Sequence, residues 1–265
     1  MENILDRTEF IKNLKGISGD KHILTSEWSK ERYSKGWRYG EGEALAVAKP
    51  GTLLEIWKIL QICVNLDIIV IMQAANTGLT GGSTPYGNDY DRPILIINTM
   101  RISDIHIIDE GKQIVGFSGS TLFELENKLA SYGREPHSVI GSSCIGASIV
   151  GGICNNSGGA LIKRGPAYTE LSLYAQITKD GELILVNDLG IELGSSPEDI
   201  LTNLQNKNYN LDDIHFPDKL ASDNVYQERL RDINADTPAR FNADKRRLNG
   251  ASGCAGKVAV FAVRL

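Results

Sequence analysis

The segment Gln73-Ala74-Ala75-Asn76-Thr77-Gly78-Leu79-Thr80-Gly81-Gly82-Ser83 combines glycines, small side chains and hydroxyls, and it follows directly on the apolar run Ile68 to Met72. Side chains this small let main-chain N–H groups point outward together, and such a nest binds phosphate oxygens without a lysine. Thr77, Thr80 and Ser83 add hydroxyl donors, and Asn76 tolerates unusual backbone angles. The pattern suits a diphosphate. A second block, Gly141-Ser142-Ser143-Cys144-Ile145-Gly146-Ala147-Ser148-Ile149-Val150-Gly151-Gly152, continues to Gly159 and repeats the chemistry. Of the 27 glycines, six lie within 141 to 159 and four within 76 to 87, so the excess is local. Two such loops suit a long ligand with a diphosphate in its middle and a planar ring at each end. The structural alternative is a pair of tight turns beneath packed helices; the chemistry shared by the two blocks weighs against it.

Other readings of the loops lack their residues. There is no G-x-G-x-x-G fingerprint and no G-x-x-x-x-G-K-[ST] phosphate loop. Gly116-Phe117-Ser118-Gly119-Ser120 ends in serine, so it is not a G-x-S-x-G nucleophile elbow. The four cysteines are scattered without C-x-x-C, which argues against structural zinc or a disulfide framework. His22, His106 and His215 have no partners at metal-ligand spacing, so no metal is expected. Hydrophobic residues are 42% and charged residues 23%, ordinary globular usage, and a net charge of −5 argues against nucleic-acid binding. No apolar run approaches the roughly 18 residues of a membrane helix. No secretory leader is expected from the opening residues.

Elements that would position the loops can be read around them. Ala44 to Ala48 reads as a short strand. Residues 52–66 read as a helix with Leu53, Ile56, Trp57, Leu60 and Val64 on one face. With Ile68 to Met72 this suggests a βαβ unit. Ile94 to Asn98 is another buried strand. Ile105 to Ile108 and Gln113 to Phe117 form a hairpin, as do Leu171 to Thr178 and Glu182 to Val186 around Asp180-Gly181. Thr121 with Glu124 makes a capping box, and Ser196, Pro197 and Asp199 start another helix. Residues 200 to 247, rich in charge and asparagine, read as a surface excursion. Apolar alternation from Lys257 runs to Leu265, a pattern expected of a strand in a longer protein.

Longer words then carry a resemblance. These are Met72 to Thr80, Gly82-Ser83-Thr84-Pro85, Gly87 to Arg92, Gly133-Arg134-Glu135-Pro136-His137-Ser138-Val139-Ile140 running into the second block, Arg164 to Glu170, Ala235 to Arg240 and Ser252-Gly253-Cys254-Ala255-Gly256-Lys257. In them the chain resembles the respiratory, quinone-linked D-lactate dehydrogenases of bacteria, FAD flavoproteins at the inner membrane. One departure is Gly81, where close relatives are expected to carry an acidic residue.

The resemblance implies an α+β fold of the vanillyl-alcohol-oxidase type: a PCMH-type FAD-binding domain of two α/β subdomains, with the cofactor between them. Here these would be about 1–100 and 101–265, an N-terminal portion of a longer protein. The remainder would carry the cap over the flavin and the membrane contact. Carried onto matching positions, Ala74, Ala75, Asn76, Thr77, Gly78, Gly82 and Ser83 would hold the diphosphate. Gly141, Ser148 and Gly158 would continue the FAD cradle, and Val260 would approach the flavin through its backbone. The activity implied is oxidation of D-lactate to pyruvate, with electrons passed to a quinone at the cytoplasmic face of the inner membrane. No residue is assigned as the catalytic base. Two alternatives stand beside this reading: a self-contained flavin oxidoreductase acting on another hydroxylated substrate, and a non-catalytic nucleotide-binding module. Among single residues, Arg134 and Arg164 are read as surface ion pairs that could instead meet phosphate or carboxylate. Trp28 and Trp37 are read as packing residues, His137 as a non-covalent pocket residue, and Lys245-Arg246-Arg247 as a solvated charge run.

Overall fold

The computed structural model describes residues 6–137, 141–158, 163–216, 218–237, 248–254 and 256–265. The chain divides into two units, Met1–Ile102 and Ser103–Leu265. In the first, Asp6 accepts main-chain bonds from Thr8 (2.9 Å) and Glu9 (3.2 Å) and caps α1 (Arg7–Ser18), which buries Phe10 and Leu14. Next come β1 (Ile23–Leu24), α2 (Glu27–Ser34), β2 (Ala46–Ala48) and α3 (Leu53–Asn65), followed by β3 (Ile69–Gln73) and β4 (Ile94–Asn98). Thr52 caps α3, and its predicted apolar face buries Leu53, Ile56, Trp57 and Leu60. Each such side chain contributes about 1.5–3 kcal/mol by leaving water.

The strand order is β1-β2-β4-β3, with β1 antiparallel and the other neighbours parallel. The expected βαβ unit is therefore split: β2 and β3 both pair with β4, not with each other. The reason lies in burial. All five residues of β4 are buried, so the most apolar strand takes an interior place that β3, half-buried along most of its length, does not. The register sets Gln73 opposite Asn98 at the ends of the two strands, where the first small-residue loop departs.

The second unit is built on β5 (Ile105–Ile108), β6 (Gln113–Phe117), α4 (Leu122–Ala130), α5 (Ile149–Cys154), β7 (Ser172–Ile177), β8 (Leu183–Asn187), α6 (Pro197–Gln205), α7 (Tyr226–Arg231) and β9 (Ala259–Arg264). Both predicted hairpins are present. So is the Thr121–Glu124 capping box. The antiparallel sheet has the order β5-β6-β9-β7-β8, so the last strand of the chain lies between β6 and β7. Leu122, Leu125 and Leu129 of α4, Ile149, Val150 and Ile153 of α5, and Val260 and Val263 of β9 share one core. Arg264 is buried, donating from Nη1 to the carbonyls of Leu189 (3.0 Å) and His215 (2.7 Å) and from Nε to Gln113 Oε1 (2.7 Å).

The surface excursion expected from residue 200 needs correction. Ile200, Leu201 and Leu204 are buried on α6, Ile214 bridges to Ile191, and the Tyr209 hydroxyl meets His106 Nδ1 at 2.8 Å. The charge count over this stretch hid a short 3.6-residue periodicity. Farther along, α7 buries no residue, and residues 238–247, including Lys245-Arg246-Arg247, lie outside the described residues.

His106 gives the second unit a pH dependence. Burial, reinforced by Lys207 and Lys128, pushes its imidazole down to about 4 from 6.5. Between those values the unfolded chain holds a proton that the folded chain releases, so stability is lost as pH falls through the window. In urea unfolding at about pH 7 and about pH 4.5, the wild type is expected to lose roughly 2 kcal/mol more than His106→Gln. Equal losses would show that the fold does not hold the ring neutral.

Candidate functional site

Gln73 ends β3 with a buried side-chain amide that ties the first loop together. Its Nε2 donates to the carbonyls of Tyr33 (2.8 Å) and Ser83 (2.7 Å), and its Oε1 accepts from Asn98 Nδ2 (3.1 Å). Asn98 Nδ2 also reaches the Ala74 carbonyl at 3.0 Å. Asn76 donates to the Lys35 carbonyl (2.7 Å) and accepts from the Ser83 hydroxyl (2.7 Å), which fastens both arms of the loop. Asn76 sits at φ 55°, in the left-handed region that asparagine tolerates better than most residues. At Gly81 φ is 73° and an added Cβ would come within 3.1 Å of the Tyr39 ring. The glycine found in place of the expected acidic residue thus fits a conformation that a side chain would strain.

The side chains tie down carbonyls, whereas the amides stay free. Among the described residues, no main-chain N–H from Ala75 to Ser83 donates to a protein acceptor. Gly78 and Gly82 lack positive φ, and a Cβ at Gly78 would meet nothing within 4 Å. Neither backbone conformation nor protein packing requires glycine at 78. In the same unit, an open cavity of about 850 Å³ reaches Ala75 and Asn76 and is lined by Trp28, Arg32, Lys35 and Trp37. Trp28 and Trp37, read as packing residues, are 87% and 59% exposed; they line the wall of this cavity instead.

In the second unit, Gly141 opens a 3-10 turn running to Ile145, and Ser148 caps α5 by accepting the Gly151 N–H at 3.0 Å. Ile149 donates to the Ser120 carbonyl and Leu122 to the Ala147 carbonyl, both at 2.9 Å, which fastens the turn to the start of α4. Val260 lies on β9 opposite Tyr174, beside a register shift, and its side chain shares the core with Ala147 and Ile149 on either side of Ser148. A Cβ added at Gly158 would meet Pro166 at ordinary contact distance. The structure thus groups Ala74 to Ser83 within the first unit, and Ser148 with Val260 within the second. Arg164 pairs with Glu135 and Arg134 donates to the Glu110 carbonyl, while His137 is exposed. Ser138 to Ile140 and Gly159 lie outside the described residues.

Comparison with known proteins gives this chemistry a family. A family model described as FAD binding domain matches residues 44–187. The chain belongs to the FAD binding domain family. Its cofactor is FAD. A curated relative from Escherichia coli (strain K12), named quinone-dependent D-lactate dehydrogenase, is 56% identical over 98% of this chain and 46% of its own length. One of the same name from Haemophilus influenzae is 59% identical over 97% of this chain and 46% of its own. These bear out the resemblance drawn from the sequence. The chain spans about half the length of the curated relatives it matches. A solved alkyldihydroxyacetonephosphate synthase shares the α+β fold at a TM-score of 0.57 and 15% identity, over 73% of this chain and 37% of that one.

The first loop fits the cofactor. A diphosphate needs several donors and a close backbone approach, and the loop offers unengaged amides, the Thr77 and Thr80 hydroxyls and the open space at Gly78. Sequence reasoning missed Gln73 and Asn98, which shape the loop without belonging to its small-residue core. Their signal was present as polar residues ending otherwise apolar strands. Gly78→Val tests the fit. Its stability is expected to stay within about 0.5 kcal/mol of the wild type. Its FAD affinity, read by quenching of flavin fluorescence, is expected to fall about tenfold or more. Unchanged affinity would remove the loop from the cofactor site.

Proposed function

We propose that this chain is the FAD-binding portion of a quinone-dependent D-lactate dehydrogenase, which oxidises D-lactate to pyruvate and passes the electrons to a quinone. The observation that carries the reading is similarity above 55% identity, along almost the whole chain, to relatives of that name. The geometry supports it through a loop whose carbonyls are tied and whose amides are left for a ligand. Ala74 to Gly78 with Gly82 and Ser83 would hold the diphosphate. Gly141, Ser148 and Gly158 would extend the cradle, and Val260 would contribute main-chain groups. When bound, FAD supplies the two-electron acceptor chemistry of the reaction.

The protein's own part is positional. Gln73 and Asn98 fix the loop, Asn76 and Ser83 close it, and the core around Val260 holds β9 in place. No helix among the described residues is long and apolar enough to cross a membrane. In this reading, peripheral attachment at the cytoplasmic face of the inner membrane, and the cover over the substrate, fall to the half of the relatives' length that the chain does not span.

Purified chain should therefore take up FAD, giving a flavin spectrum after gel filtration, and anaerobic D-lactate should bleach that spectrum slowly or not at all. A colourless protein after incubation with FAD would overturn the cofactor assignment. Fast bleaching would show that this chain alone holds a complete substrate site.

A further inference from the structure

Cys154 ends α5, and Cys254 lies in the turn before β9, one hundred residues farther along. Their backbones are neighbours: the Gly253 N–H donates to the Ile153 carbonyl at 3.0 Å. Contact continues one side chain away, where a Cβ on Gly253 would fall 2.5 Å from Asn156 Nδ2. The turn is held firmly, because the Ser252 hydroxyl donates to the Thr169 carbonyl (2.6 Å) and accepts the Thr169 N–H (3.0 Å). Both cysteines pack against the α4–α5–β9 core, both are half-buried, and both are unbridged.

The two thiols lie close enough to shift each other's ionisation. Cys254 also faces the main-chain amides of Gly256 and Val258. The environment is asymmetric. The neighbouring Cys154 thiol, aided by those amides, pulls the Cys254 thiol down to about 6 against the opposing effect of burial. The same proximity and burial push Cys154 well up. The asymmetry favours Cys254 as the nucleophile and Cys154 as the thiol that keeps its proton, the division of labour that thiol–disulfide exchange needs.

We propose that Cys154 and Cys254 form a dithiol modification site that is oxidised to an intramolecular disulfide by a low-molecular-weight disulfide, RSSR. The Cys254 thiolate attacks one sulfur of RSSR, forming a Cys254–SR bond and expelling RS⁻. Cys154 then loses its proton and attacks Cys254 Sγ, forming the Cys154–Cys254 bond and expelling the second RS⁻. Two protein thiols are oxidised, RSSR is reduced, and the two cysteine protons are balanced by protonation of two RS⁻ to RSH. The product joins the end of α5 to the turn that feeds β9. It stands on these residues alone and does not depend on the proposed lactate activity.

The test uses the native chain and oxidised glutathione. After treatment, alkylation and digestion should find a Cys154–Cys254 cross-link, with free thiols falling from four to two. Cys154→Ser should trap a glutathione mixed disulfide on Cys254, whereas Cys254→Ser should leave Cys154 unmodified. As a check without mutation, alkylation of wild-type Cys254 should reach half its plateau rate near pH 6, the value at which its thiol ionises (about 6), not near 9. Four free thiols after treatment, or glutathione on the exposed Cys144 alone, would overturn the proposal.

Discussion

A partition of hydrogen bonds at one strand end governs the candidate site. The Gln73 and Asn98 side chains satisfy the carbonyls of Ala74 and Ser83, and Asn76 with Ser83 closes the loop from within. Each bond is worth only about 1 kcal/mol net, but a buried carbonyl left unpaired would cost more. The consequence is directional. Once the carbonyls are held by side chains, the amides from Ala75 to Ser83 remain without acceptors among the described residues. In the proposed reading, a loop built this way would select an anion by main-chain dipoles alone, without a lysine, and the diphosphate of FAD would be that anion.

Each unit's sheet positions its own small-residue segment in a different way. In the first unit, β4 lies between β2 and β3, which puts Asn98 beside Gln73 and so creates the amide pair. In the second, β9 comes last in sequence but lies between β6 and β7, so the turn at Ser148 is packed against residues about a hundred positions away. Arg264 fastens the far end of that strand through the carbonyls of Leu189 and His215. Contacts of such sequence separation close large loops, which makes this sheet the slower part to assemble.

Much of this was legible before the fold. The 3.6-residue apolar spacing announced α3 and the Asp180-Gly181 turn announced the β7–β8 hairpin, while the small-residue blocks pointed to the diphosphate role proposed for them. What could not be read was spatial. The sequence places β3 after β2, and only burial makes β4 their common neighbour. Trp28 and Trp37 look like packing residues by type, yet both are exposed around a cavity, because identity does not report which side of α2 and its following turn faces solvent. The helix at 197–205 was signalled by its cap, but the charge-rich stretch after it concealed Tyr209 and its bond to His106, a contact across about a hundred residues. Gln73 and Asn98 were visible as letters, but their role appears only when the register sets them side by side.

In the proposed reading, unengaged amides of the first loop are the ligands of FAD. Hydrogen–deuterium exchange resolved to single amides, with and without FAD, tests it most directly. The amides of residues 75–83 are expected to exchange rapidly in the free chain and to slow by about tenfold or more when FAD is bound. FAD binding that leaves those amides unprotected would contradict it.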